Sequence, residues 1–295
     1  MFNDSPLKYW IMASRPKTLL AAIAPVVLGT VMAFGDGVYH LPTALVALFA
    51  AIMIQIGTNF ANDYFDFKKG ADTANRLGPI RVTQAGLISP KTMQCAIIMF
   101  FSLAALAAVW LSLRAGWPIA VLGVLCIASG ILYTAGPLPL GYIGLGELFV
   151  LIFFGPVAVA GTYYVQSFEL HAGVILAGFS AGLISSAILV VNNLRDIESD
   201  RHAGKKTLAV RFGPTFAKSE YFFCIVLASL IPVLIYTMIH DHLYILCSAV
   251  TILLAFPGIL IVFTRTDGPS LNKALSFTGI VLLMFSTIFA IGWIL

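Results

Sequence analysis

A stripe of polar side chains runs along the second long apolar segment of the chain. Asn59, Asn62, Asp63 and Asp66 follow at i, i+3, i+4 and i+7, so one helix face carries all four, and Gln55 extends the stripe by one turn. Polar groups on a membrane-length apolar helix are costly to bury, and by default they mark a functional site. Carboxylate and carboxamide oxygens near Lys and Arg suit Mg²⁺ that holds a phosphate-bearing substrate.

A second polar set has the same character. Asn192, Asp196 and Asp200 lie at i, i+4 and i+8, again on one helix face, at the end of the sixth apolar segment. The pairs Asn62–Asp66 and Asn192–Asp196 share the spacing NxxxD, and basic residues follow each pair. Independent, solvated helix ends would explain one such set. Two matching sets favour a shared site where two halves of the chain meet.

Two carboxylate clusters that face each other repel unless cations lie between them. Two or more Mg²⁺ ions bridged by a diphosphate would remove the repulsion and hold the substrate at the membrane surface. Basic side chains would stabilise the charge of a departing diphosphate. The candidates for that contact, each also explained by membrane topology alone, are Lys68, Lys69, Arg81, Arg195, Lys205 and Lys206. The step that these residues permit is ionisation of an allylic diphosphate and capture of the cation by an electron-rich acceptor.

The elements that must position these residues are membrane helices. The 295-residue chain is 60% hydrophobic and 10% charged, whereas soluble domains carry about 25% charged residues. This composition predicts an all-α integral membrane protein, with membrane lipids and no nucleic acid among its partners. At about 20 residues for each span, the apolar segments that could cross a bilayer are 18–35, 41–61, 92–113, 117–134, 145–165, 171–191, 218–239, 243–264 and 272–294.

The distribution of basic residues predicts the orientation. With the N-terminus inside, all of the 17 Lys and Arg residues except Arg114 fall on the cytoplasmic side, in agreement with the positive-inside rule. Two Asp-rich loops, after helices 2 and 6, would therefore face the cytoplasm from the cell (inner) membrane. We predict one domain over residues 1–295, with nine helices around a central cavity. In it, 18–134 and 145–264 would form a parallel internal repeat, followed by a ninth helix.

The chain resembles the UbiA superfamily of membrane prenyltransferases in two motifs, NDYFDFKKGAD (62–72) and NNLRDIESDRHAGKKTL (192–208). Its similarity to the dihydroxynaphthoate branch rests on ASRPKTLLAAIAPVVLG (13–29), GPIRVTQAGLIS (78–89) and YTAGPLPLGYIGLGE (133–147). The resemblance implies Mg²⁺-dependent transfer of a polyprenyl group from polyprenyl diphosphate to 1,4-dihydroxy-2-naphthoate. With loss of CO₂, this menaquinone-pathway reaction would give demethylmenaquinone.

Carried onto this chain, the resemblance implies a metal–diphosphate site made of two clusters. The first cluster would be Asn62, Asp63, Asp66 and Asp72, and the second would be Asn192, Asp196 and Asp200. The residues expected to be catalytic are Asp66, Asp196, Arg195 and Lys205. Asp72 departs from the superfamily pattern, because the four-residue step from Asp66 reaches Gly70 instead of an acid.

Several candidate substrate-binding residues keep two interpretations. Arg15 would pair with the acceptor carboxylate or would snorkel at the interface. Glu147 would serve the acceptor or would be a helix N-terminal charge favoured by the dipole. Tyr133 and Tyr142 would wall the allylic cation or would be interfacial tyrosines. Asn59 is a candidate because it lies on the polar stripe.

Two other functions stay open at this point. The first is a UbiA-type prenyltransferase with another aromatic acceptor, such as 4-hydroxybenzoate. The second, from a different class, is a secondary transporter, for which a parallel repeat would be expected. The clustering of the acids at one membrane face argues against alternating access.

Overall fold

The secondary structure comes from a computed structural model, which describes residues 6–71, 78 and 80–295. Within these residues every regular element is helical. The helices are α1 (Pro6–Ser14), α2 (Pro16–Gly35), α3 (Leu41–Lys68), α4 (Pro90–Ala115), α5 (Trp117–Leu132), α6 (Gly146–Ser167), α7 (Ala172–Arg195), α8 (Ile197–His202), α9 (Leu208–Ile239), α10 (Leu243–Thr264) and α11 (Gly268–Ile294). This confirms the predicted all-α class.

Most of these helices are long enough to cross a membrane. Among the described residues, eight helices are sufficiently long and apolar, namely α2, α3, α4, α6, α7, α9, α10 and α11. The chain is therefore a multi-pass membrane protein. The remaining predicted span forms α5, whose 16 residues extend about 24 Å, less than the ~30 Å hydrocarbon core. The count of nine spans and the internal repeat stay predictions.

Side-chain caps fix where three of the helices begin. Ser89, Thr207 and Asp267 each accept a hydrogen bond from the backbone N–H three residues later, at 3.2, 3.3 and 2.9 Å. Such caps satisfy backbone donors that have no partner within the helix. They define the starts of α4, α9 and α11 on the side that the basic residues predict to be cytoplasmic.

Helix α7 forms the centre of the bundle. In its most apolar stretch 67% of the residues are buried, against 50% or less for the other spans. Glycines let α6 approach it closely: a Cβ on Gly182 would lie 2.2 Å from the Leu151 carbonyl oxygen, and one on Gly155 would lie 2.8 Å from that of Gly178. A π-helical turn at Phe153–Val157 accommodates the proline within it. The start of α6 is thereby held beside the polar end of α7.

The structure corrects the predicted Asp-rich loops. Helix α3 continues to Lys68, past the predicted end at 61, so Asp66 lies within the helix. The helix ends where Gly70 adopts a left-handed conformation with φ 66°. In the second set, Asp196 is the single residue between α7 and α8, and Asp200 lies within α8. The acids therefore occupy helix ends, where the backbone fixes their positions.

Candidate active site

An elongated cavity of about 400 Å³ lies among the helices. Along α3 its lining extends from Asp66 to Ala47, about 28 Å along a helix axis, which is close to the ~30 Å hydrocarbon core. Members of both predicted clusters line its polar end, namely Asn62, Asp66, Asn192, Asp196 and Asp200. Most of the remaining wall is apolar and includes Phe149 and Phe153 of α6. The cavity therefore has a shape that suits a charged head and a long apolar tail.

The ammonium of Lys205 joins the two clusters. Its Nζ lies 3.8 Å from Asp66 Oδ2 and 3.4 Å from Asp200 Oδ1. Asp66 belongs to α3 and Asp200 to α8, so the ends of two distant segments lie within reach of one cation. The two polar sets that the sequence analysis predicted to meet are thus close together in the structure.

Asp66 lies at the centre of a dense polar network. Its Oδ2 accepts from Arg81 Nη2 at 3.1 Å, and its Oδ1 accepts from the Tyr142 hydroxyl at 2.7 Å. The ammonium nitrogens of Lys69 and Lys205 lie 4.7 and 4.9 Å from the centroid of the Tyr142 ring, which is cation–π distance. Burial lowers the pKa of Lys69, a shift that the Asp66 carboxylate opposes and the Lys205 charge supports. Tyr142 therefore links Asp66 to two cations.

Asp63 has a different environment, although it belongs to the same stripe. Its Oδ2 accepts from the backbone N–H of Val82 at 3.1 Å, and its Oδ1 accepts from that of Thr83 at 2.9 Å. The side chain is buried and is not among the residues that line the cavity. Asp63 thus anchors the segment that carries Arg81 towards Asp66. This placement does not support the predicted role of Asp63 as a metal ligand.

Arg195 hydrogen-bonds the second cluster from the side that faces away from the cavity. Its guanidinium forms a two-bond fork with Asp196, with Nε to Oδ1 at 2.8 Å and Nη2 to Oδ2 at 2.6 Å. Nη2 also donates to Asn192 Oδ1 at 2.8 Å, and Nη1 donates to Asn272 Oδ1 of α11 at 2.6 Å. Asp196 and Asn192 line the cavity, whereas Arg195 does not. In this geometry Arg195 does not reach the cavity to contact a diphosphate. It instead orients the side-chain oxygens of Asp196 and Asn192, which line the cavity.

Hydrogen bonds between α3 and the N-terminal helices bring Arg15 to the cavity. Asn59 lines the cavity, and its Nδ2 donates to the Ser14 carbonyl at 2.8 Å and to Thr18 Oγ1 at 3.0 Å. Arg15 also lines the cavity, at the junction of α1 and α2, where its backbone is left-handed with φ 51°. Asn59 therefore connects the N-terminal helices to the polar stripe, and it places Arg15 at the same end as the acids.

Other predicted contacts lie away from the cavity. Lys68 and Lys206 are exposed and do not line it; the backbone N–H of Lys206 donates to the Tyr142 carbonyl at 2.7 Å. Asp72 lies outside the described residues. Asn62 accepts a hydrogen bond from Thr134 Oγ1, a partner that the sequence analysis did not predict.

Tyr133 lies just past the end of α5 and lines the cavity. Burial raises the pKa of Tyr133, and the negative charges of Glu147, Asp200 and Asp66 raise it further. The hydroxyl therefore stays protonated and can donate a hydrogen bond. Of its two open interpretations, a cavity wall agrees with this position.

Glu147 is buried in the first turn of α6 and does not itself line the cavity. Its Oε1 accepts from Asn193 Nδ2 at 2.7 Å. Asn193 does line the cavity, and the sequence analysis missed it. Asn193 follows Asn192 directly, so it does not share the helix face that the spacing of Asn192 and Asp196 defines. A search for the polar partner of Glu147 would have pointed to Asn193.

The oxygen donors at the polar end suit a metal shared with a substrate. Among the described residues, no group of three His, Cys, Asp or Glu side chains is arranged to hold a metal ion. The carboxylates of Asp66 and Asp196 are instead paired with arginines. Mg²⁺ is commonly bound by one or two carboxylates, with substrate phosphates and water as its other ligands. Carboxylate and carboxamide oxygens from two helix ends fit that requirement.

The match to known families agrees with this geometry. A model of the UbiA prenyltransferase family matches residues 22–292. The chain belongs to this family. A 1,4-dihydroxy-2-naphthoate octaprenyltransferase from Escherichia coli (strain K12) is 40% identical over 239 residues, which cover 79% of this chain and 77% of that protein. A protein of the same name from Mycobacterium tuberculosis (strain ATCC 25618 / H37Rv) is 44% identical over 213 residues, which cover 72% of each chain.

Solved structures of the UbiA fold extend the comparison. A UbiA homolog from Archaeoglobus fulgidus, bound to DMAPP and Mg²⁺, superposes with a TM-score of 0.71 at 18% identity, covering 97% of this chain and 98% of that one. At this identity the likeness establishes the fold. Family and fold together make this UbiA-family chain a membrane prenyltransferase, which removes the secondary transporter from consideration.

Proposed function

We propose that this UbiA-family enzyme transfers a polyprenyl group from polyprenyl diphosphate to 1,4-dihydroxy-2-naphthoate, with loss of CO₂, to give demethylmenaquinol, the reduced form of demethylmenaquinone. The observation that carries the diphosphate part is the Lys205 bridge between Asp66 and Asp200. It brings two carboxylate-bearing helix ends together at the polar end of a membrane-length cavity. The acceptor is proposed from the names of the relatives in Escherichia coli and Mycobacterium tuberculosis.

The first step would be ionisation of the allylic diphosphate. The residues that would hold Mg²⁺ are Asn62, Asp66, Asn192, Asp196 and Asp200. When bound, Mg²⁺ supplies positive charge that makes the diphosphate a better leaving group. Arg81 and Lys205 line the same end of the cavity and would stabilise the charge of the departing diphosphate. The apolar cavity below would receive the polyprenyl tail.

The second step would be capture of the allylic cation by the aromatic acceptor. The aromatic rings of Tyr142, Phe149 and Phe153 line the cavity and would exclude water from the cation. The C–O bond has then already broken, its electron pair has left with the diphosphate, and a ring carbon of the acceptor donates an electron pair to C1 of the allylic cation. Loss of CO₂ leaves its bonding pair in the ring, so the step needs no outside oxidant or reductant. Arg15, at the same end, would pair with the acceptor carboxylate before CO₂ leaves.

We place the polar end of the cavity at the cytoplasmic face of the cell (inner) membrane. The positive-inside distribution of Lys and Arg supports this orientation. Water-soluble acceptor, Mg²⁺ and released diphosphate would then exchange with the cytoplasm, while the prenylated product stays in the bilayer.

Mass spectrometry of the lipid product tests the proposal. Membranes that contain the enzyme are incubated with Mg²⁺, octaprenyl diphosphate and either 1,4-dihydroxy-2-naphthoate or 4-hydroxybenzoate, with Asp66→Ala membranes as the blank. We expect a decarboxylated, prenylated naphthoquinol from the naphthoate arm. Prenylation of 4-hydroxybenzoate alone would overturn the acceptor, and equal yields with and without a chelator would overturn the Mg²⁺ requirement.

A further inference from the structure

The side chain of Asn193 presents a hydrogen-bond acceptor to the cavity. Its Nδ2 is committed to Glu147 Oε1 at 2.7 Å. This contact turns the amide nitrogen towards Glu147 and the amide oxygen away from it, because an amide carries its donor and its acceptor on opposite arms. Asn193 Oδ1 accepts no hydrogen bond from the described residues, yet it is not among the fully enclosed polar atoms. Because Asn193 lines the cavity, that oxygen is available to a molecule bound there.

Glu147 is buried at an energetic cost, and Asn193 donates the side-chain hydrogen bond to its carboxylate. The residue is 7% exposed, and among the described residues its Oε2 has no hydrogen-bond partner. No described Lys or Arg forms an ion pair with it. Ser186 Oγ donates to the Glu147 carbonyl at 3.0 Å, which fixes the start of α6 on α7. A buried carboxylate oxygen without a partner is unfavourable for folding, so its retention points to a role in the site.

The surroundings define the ligand that this oxygen would accept. Phe149 and Phe153 line the same cavity with stacked rings, 5.7 Å between centroids and 15° between planes. Such a wall suits a flat aromatic ring. Asn193 follows the cluster residue Asn192 directly in α7, so a ring bound to it would lie near the diphosphate end. A neutral amide oxygen is suited to an uncharged O–H donor, and a phenolic hydroxyl combines that donor with a flat ring.

We propose that Asn193 Oδ1 accepts a hydrogen bond from a ring hydroxyl of the aromatic acceptor, and that Glu147 is the positioning residue that fixes the amide. This inference rests on the proposed prenyl transfer to a hydroxynaphthoate. The hydrogen bond would draw the hydroxyl proton outward and raise electron density on the ring carbon that attacks the allylic cation. Asn193 and Glu147, which belong to neither metal–diphosphate cluster, would thus recognise the aromatic acceptor.

Steady-state kinetics on four variants test the assignment. Asn193→Leu should raise the KM for 1,4-dihydroxy-2-naphthoate about three- to tenfold, the value of one neutral hydrogen bond. The KM for polyprenyl diphosphate should not change. Asn193→Asp should be worse, since two carboxylates would meet. The double variant Glu147→Gln with Asn193→Asp exchanges the two functional groups. A Gln amide then donates to the Asp carboxylate, whose other oxygen faces the cavity. The KM for the acceptor should return to within about threefold of wild type. Ser180→Ala is the control, because Ser180 is a buried polar residue of α7 that does not line the cavity.

A second arm varies the acceptor and starts from the wild-type enzyme. Naphthoates that lack either the 1- or the 4-hydroxyl are compared with the parent acceptor. We expect one analogue to show a raised KM, and we expect that discrimination to vanish in Asn193→Leu. Equal KM values for all three acceptors, an unchanged acceptor KM in Asn193→Leu, or a folded double swap without recovery would each overturn the inference. Failure of wild-type turnover with the parent acceptor would instead overturn the proposed function.

Discussion

Replacement of Asp63 by Asn separates a structural anchor from a metal ligand. The two carboxylate oxygens of Asp63 accept from the backbone of Val82 and Thr83 at 3.1 and 2.9 Å. Hydrogen bonds to a charged group contribute about 1.5–3 kcal/mol each. Asparagine keeps one acceptor oxygen and loses the other, so we expect the free energy of unfolding to fall by about 1.5–3 kcal/mol, and Asp63→Ala to cost about twice that.

The assay for Asp63 combines stability with Mg²⁺ dependence. Purified variants in detergent are unfolded with denaturant, and turnover is measured across a Mg²⁺ titration. For Asp63→Asn we expect lower stability and a lower maximal rate, because Arg81 is less firmly placed against Asp66, with an unchanged Mg²⁺ half-saturation. Asp66→Asn serves as the comparison and should raise that half-saturation. The reasoning is refuted if Asp63→Asn raises it as much as Asp66→Asn while stability stays at the wild-type value.

The remaining predictions concern the two clusters. Asp66→Ala or Asp196→Ala should abolish turnover, measured by product formation, while membrane insertion, measured by the protein content of washed membranes, stays intact. Near-normal rates in either variant would contradict the two-cluster site. Lys205→Ala should lose less activity than these, because Arg81 also contacts Asp66, and a complete loss would assign Lys205 a larger role. Chelation of divalent cations should stop turnover, added Mg²⁺ should restore it, and activity that persists under excess EDTA would exclude the metal.

The sequence predicted the convergence at the site but not the role of each acid. Asn62 and Asp66 line the cavity, and the matching spacing near Asp200 correctly predicted a meeting of the two segments. Asp63 and Asp66 share the stripe, yet three residues of an α-helix leave side chains about 60° apart. That angle separates a carboxylate at the cavity from one that binds the backbone of Val82. Helical periodicity alone does not resolve it, because the choice depends on which segment packs against α3.

Partners far apart in the sequence were the main omission. Glu147 was singled out as an acid in an apolar segment, but its partner Asn193 lies 46 residues away. No local spacing encodes that contact. It depends on the close approach of α6 and α7 at glycines such as Gly182 and on the π-helical turn of α6. Likewise, the place of Arg195 in the motif predicts a diphosphate contact. In the structure α11 packs beside it, and Arg195 donates a hydrogen bond to Asn272 of that helix.

The position of Lys205 between two carboxylates makes the binding of metal and diphosphate interdependent. A divalent cation that approaches Asp66 and Asp200 competes with the ammonium for the same oxygens, whereas a diphosphate offers the displaced ammonium new negative partners. By thermodynamic linkage, each ligand then raises the affinity for the other by the same factor. Equilibrium titrations should show a Mg²⁺ Kd that falls when an unreactive prenyl diphosphate analogue is present, and the factor should shrink in Lys205→Ala. If the analogue lowers the Mg²⁺ Kd by the same factor in Lys205→Ala as in the wild type, the lysine does not contribute to the coupling. Otherwise the lysine acts as an internal counter-ion, which joins the end of α3 to α8 until the charges of the substrate replace it.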